Sequence, residues 1–149
     1  MKATRIATAI ADGDAQTACT SLTATLREAL AGESPTLVVV MASTAQALPA
    51  VVKAMGSSFA EALVVATSTA GEFTESGDRK SSIAAFALAG DVRAFAGIGV
   101  GLRANPEAAL RGALDGLPTQ LGGFPHRTAL LFVDALAGNG EEATLTMAS

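Results

Sequence analysis

The chain has 149 residues, half of them hydrophobic and only 16% charged, with a net charge of -4. That length supports one buried core and is short for two domains. Its ten Lys and Arg are scattered without forming a stripe, and its aromatics are six Phe with no Trp or Tyr, which argues against a nucleic-acid partner needing a phosphate-tracking surface or stacking platforms.

In chain order, residues 4–10 alternate Thr and Ile on one parity and predict a strand, ended by the turn-forming residues 11–14. Ala15, Cys19, Leu22, Leu26, Ala29 and Leu30 recur at helical spacing, with Asp14 as N-cap and Gly32 as stop. After Pro35, residues 37–41 form a continuous apolar run, the pattern of a strand covered on both faces. Pro49, Val51, Val52 and Met55 predict a short helix reaching Gly56. Residues 62–67 read as a third buried strand, followed by a polar loop over 68–80. Residues 82–88 and 92–100 flank Gly90-Asp91 and predict an antiparallel hairpin. Asn105 and Pro106 open a helix with Leu110, Ala113, Leu114 and Leu117 on its apolar face, ended by Pro118. Residues 130–133 predict a last buried strand, closed by Asp134, and a helical pattern begins again at Glu141.

Together these elements predict an α/β fold: a single domain with a mixed, mainly parallel central sheet flanked by helices. A pseudo-repeat runs through it. Residues 26–32 and 110–116 agree at five of seven positions, and residues 36–40 align with 128–132. Shared element order supports a duplication. The offset of 92 (128 minus 36) sets Ser149 opposite Ser57, so the second copy lacks the counterpart of the third strand. The expectation is a domain incomplete at its C-terminal end, or a sheet that something else completes.

In open sheets, ligands sit beyond the carboxyl ends of parallel strands, where loops and helix N-termini converge. Those ends carry Ser43 after the second strand, Ser68-Thr69-Ala70-Gly71-Glu72 after the third, and Asp134 after the last. Short hydroxyls, a glycine that admits close backbone approach and an acid able to pair with an amine suit a small polar ligand. The same residue types are also ordinary turn formers. Gly99-x-Gly101-x-x-Ala104 formally fits a dinucleotide fingerprint. Against it, the helix opens only at Pro106, and Asp134 lies 33 residues beyond Gly101 (134 minus 101), where about 20 is expected. A strand running close to a neighbour explains these glycines better.

Cys19 falls on the apolar side of its helix and reads as core. His126 has no second metal ligand at usable spacing. No nucleophile, base and acid are tied together, so neither catalysis nor a cofactor or metal is expected. The longest apolar runs fall far short of the roughly 20 residues of a membrane span. The N-terminus lacks the pattern of a signal peptide, and the lone cysteine fits a reducing compartment, so the expected location is cytoplasmic, without a membrane partner.

Leu63-Val64-Val65-Ala66-Thr67-Ser68-Thr69-Ala70-Gly71-Glu72-Phe73 resembles the apolar-strand, Ser/Thr, Ala-Gly-Glu signature in the N-terminal half of FIST domains. The strand ending in Ser43, the Gly97 to Gly101 segment and the segment with Asp134 follow in the family's order. The resemblance implies an intracellular sensory domain of signal transduction that binds a small ligand, amino acids having been proposed. It also implies a C-terminal FIST half or an output domain as partner. The alternatives are a nucleotide-dependent enzyme using residues 97–101, or an assembly module, including a homo-oligomer, with no ligand.

Overall fold

The computed structural model describes residues 3–75 and 77–148. The chain folds into two compact units, Met1–Ala94 and Phe95–Ser149.

The first unit is a four-stranded sheet carrying two helices on one face. Its strands are β1 (Arg5–Ala11), β2 (Leu37–Ser43), β3 (Leu63–Thr69) and, following a small hairpin, β6 (Ile83–Ala89). Their order is β1-β6-β2-β3. β2 and β3 are parallel, whereas β6 is antiparallel to both β1 and β2. The sheet is therefore mixed, as expected, but only one of its three pairings is parallel.

Strand periodicity sorts the side chains by face. Ala7, Ala9 and Ala11 of β1, Val38, Val40 and Ala42 of β2, and Ile83, Ala85, Ala87 and Ala89 of β6 point into the core. Against them pack α1 (Ala15–Ala29) and α2 (Leu48–Ser58). The many alanines on the sheet make room for the larger helical stripe Leu22, Leu26, Val51 and Met55, each fully buried. α1 begins where the Asp14 carboxylate accepts the Thr17 amide hydrogen at 2.8 Å, and the chain leaves it through Gly32 at φ +83°, a left-handed position suited to glycine. Cys19 is a core residue, and its burial pushes the thiol pKa up. α2 runs two residues past Gly56. At its end the Arg27 guanidinium donates to the Ser58 carbonyl at 2.7 Å and lies 5.6 Å from the centre of the Phe59 ring, within cation-π range.

The predicted pairing of residues 82–88 with 92–100 does not form. β6 has β1 on one edge and β2 on the other, so neither edge is open to the chain that follows. Residues 92–100 carry no strand. The hairpin lies earlier, inside the segment read as a polar loop: β4 (Glu72–Thr74) pairs antiparallel with β5 (Gly77–Arg79). β4 contacts β1, β2 and β6. Arg79 binds Asp12 at 2.5 Å, and the Thr8 hydroxyl donates to the Glu75 carboxylate, so two ties between side chains fix the hairpin to the end and middle of β1.

The regular elements described in the second unit are helices joined by long irregular segments. α3 (Pro106–Leu114) is capped by Asn105, whose side chain accepts the Ala108 amide hydrogen at 2.9 Å. α4 (Gly140–Ala148) packs against it, with Ala143 fully buried. Asn139 donates to the carbonyls of Leu102 at 3.1 Å and Arg103 at 3.2 Å, joining the start of α4 to the turn before α3. Residues 130–133, predicted as a buried strand, form none, and Leu130 and Phe132 are 56% and 46% exposed. The likeness between the α1 and α3 sequences thus does not extend to a second copy of β2.

Candidate functional site

Parallel pairing brings the carboxyl ends of β2 and β3 to one end of the sheet, with Ser43 directly opposite Thr69. β6 runs the other way, so its first residues arrive at that same end. The Ser43 amide donates to the Ser82 carbonyl at 3.0 Å, and the Thr44 amide donates to the Thr69 carbonyl at 3.1 Å. Three strands are thereby closed around one polar cluster.

Glu72 lies at its centre, only 2% exposed. One carboxylate oxygen accepts from the Thr69 hydroxyl at 2.5 Å. The other accepts from the Ser82 hydroxyl at 2.9 Å and from the Ser82 amide at 3.3 Å. A carboxylate is buried at a high cost unless donors replace water, and hydrogen bonds to charged groups are the strong ones. Here donors from β3 and from the residue before β6 perform that replacement. The amine-pairing role expected for Glu72 does not match this geometry: both oxygens are engaged internally, and the side chain acts as a latch between the β3 turn and β6.

Ser43 is buried, its hydroxyl accepting from the Ala45 amide at 3.3 Å. Ser68, Ala70 and Gly71 are exposed at the tip of the turn, while Thr69 is half-buried. Asp134 belongs to the second unit, where its carboxylate accepts from the Leu136 amide at 2.9 Å and caps a short 3-10 turn over Ala135–Ala137. Six of the seven predicted site residues therefore share one unit and one region. Asp134 has a separate structural task.

Sequence reasoning missed Ser82 and Gln46. The Gln46 side-chain amide donates to the carbonyls of Gly13 and Ser81, both at 2.9 Å, tying the loop after β2 to the loops after β1 and before β6. Ser81 holds a positive φ of +60°, uncommon for a residue with a side chain. The only cue was a Ser-Ser pair just before an apolar run.

The glycines of the dinucleotide-like segment have another explanation. A Cβ added to Gly97 would lie 1.7 Å from the Ala113 carbonyl oxygen, and one at Gly99 would lie 2.1 Å from that of Ala109. Gly97 presses on the last turn of α3 and Gly99 on its first, while the Gly101 carbonyl accepts from the Asn105 amide at 3.0 Å, so the close approach of these residues to α3 accounts for the first two glycines without a phosphate. Among the described residues there is no group of three potential metal ligands, and no helix is long and apolar enough to cross a membrane.

An α/β sheet whose strand ends are knitted together by hydroxyls around one buried acid defines the class of the first unit. Comparison with family models adds the rest: the FIST N domain model matches residues 36–149, from the residue before β2 through both units. The chain belongs to this family of signal-transduction sensory domains. None of the curated proteins compared matches it.

Proposed function

We propose that the chain senses a small ligand, with amino acids as the first class to test, at the carboxyl ends of β2 and β3, and passes the signal to a C-terminal FIST half or an output domain. The observation that carries this reading is the convergence of Ser43, Thr69, Glu72 and Ser82 at one sheet end beneath the exposed tip Ser68-Ala70-Gly71. The tip offers hydroxyl and backbone groups to a ligand. The Glu72 latch below it links any movement of the turn to β6. A ligand acts as a signal only through different affinity for two arrangements of such an element. The proposed role is binding and not catalysis, in the cytoplasm.

A thermal-shift screen with amino acids is the direct test, since a ligand bound only by the folded chain raises its melting temperature. The expected result is a shift that Ser68→Ala and Thr69→Ala both weaken. A shift unaffected by either variant would move the site elsewhere, and no shift with any amino acid would refute the proposed class.

A further inference from the structure

A second feature of the first unit is independent of the strand-end cluster. On the face of the sheet away from α1 and α2, a cleft of about 370 Å³ opens between the sheet and the β4–β5 hairpin. Its size is at the small end of the range in which proteins hold small ligands, roughly 300–1,000 Å³. Thr8, Met41, Ala84 and Phe86 form the floor, while Phe73 and Glu75 reach it from the hairpin. Strand register makes the floor continuous: Thr8 faces Phe86 across β1 and β6, and Met41 faces Ala84 across β2 and β6.

The chemistry of this lining is one-sided. Met41 supplies a flexible, polarisable surface of the kind that adapts to aromatic or irregular apolar groups. Phe73 is 75% exposed, a large apolar area left facing solvent at the edge of the cleft. Among the described residues, Glu75 is the single ionisable residue of the lining, and no Lys or Arg joins it. Its carboxylate is held in place by the Thr8 hydroxyl. The neighbouring cation of the hairpin, Arg79, is committed to Asp12. Two phenyl rings and one oriented carboxylate, without a cation, attract positive charge and repel negative charge.

We propose that this cleft is a binding site for a small, mainly apolar ligand with a single cationic amine, its apolar part on Met41, Phe73 and Phe86 and its ammonium group on Glu75.

The test uses the full chain and three probes of matched shape: phenethylamine, 2-phenylethanol and 3-phenylpropionate, titrated by calorimetry. The amine is expected to bind about fivefold or more tightly than the alcohol, and the carboxylate not at all. Glu75→Gln should bring the amine down to the affinity of the alcohol without altering the alcohol itself. Phe73→Ala should weaken both. Phe73 and Glu75 are exposed, so neither variant threatens the fold. Equal affinity for all three probes, absence of binding by the amine, or amine binding unchanged in Glu75→Gln would overturn the proposal. Thr69→Ala should leave amine binding intact, which separates this cleft from the strand-end site.

Discussion

Replacement of Glu72 by Ala gives the sharpest test of the latch. The substitution strips the side-chain acceptor from the Ser82 amide and hydroxyl, on a residue that is fully buried. Each buried donor left without a partner costs about 1–3 kcal/mol. Against two such losses stands the relief of no longer holding a carboxylate away from water. The balance predicts that Glu72→Ala destabilises the first unit by about 2–4 kcal/mol. Glu72→Gln sharpens the prediction. Its amide oxygen can accept from Ser82 and its amide nitrogen can donate to the Thr69 oxygen, so all the contacts survive in neutral form at a cost near 1 kcal/mol. Urea unfolding followed by circular dichroism reads both, as a fall in midpoint at unchanged slope. A loss below about 0.5 kcal/mol in Glu72→Ala, or equal losses in the two variants, would refute the latch.

Gly97→Ala and Gly99→Ala should each destabilise the second unit by about 1–3 kcal/mol, because the new methyl group would strike an α3 carbonyl. Gly112→Ala, with open space around it inside α3, should stabilise that unit by about 0.5–1 kcal/mol; thermal melts distinguish the opposite signs. The carboxyl pKa values of Asp14 and Glu75 are lowered, the first mainly by the hydrogen bond from the Thr17 backbone and the second mainly by that from the Thr8 side chain. Groups depressed on folding contribute stability that is present above their unfolded values and disappears as pH falls through the folded ones. Acid titration of stability should therefore show a loss beginning near the ordinary carboxylate range, and Asp14→Asn with Thr8→Val should flatten it. Cys19 should resist a thiol reagent in native buffer and react promptly in denaturant, since its thiol is buried and its ionisation is suppressed.

The parts of the fold legible in the sequence are those decided locally. The first helix is legible because Asp14, the leucine spacing and Gly32 are all short-range signals, and β2 because Leu-Val-Val-Val-Met is a short apolar run bounded by turn residues. Residues 92–100 misled for a physical reason. Ala-Phe-Ala-Gly-Ile-Gly-Val alternates with the period of a strand, yet its glycines answer to the backbone of α3 and not to a neighbouring strand. Residues 130–133 show the limit of an apolar run, which signals burial that the structure does not supply. At the candidate site, strand ends and hydroxyls could be read directly. The burial of Glu72 could not, because it depends on Ser82 arriving from ten residues further along through the antiparallel placement of β6.

That placement also sets a timetable. Among the described residues β1 is hydrogen-bonded in the sheet to β6 alone, and the pair joins Arg5 to Ala89, 84 positions apart (89 minus 5). During synthesis β1 is made well before β6, so its ladder cannot form until nearly the whole first unit has been added. Long-range pairing of this kind slows folding and leaves an apolar strand exposed meanwhile. The β2–β3 pair at one edge of the sheet needs only residues 37–69, whereas β1 at the other edge has no ladder until β6 is made.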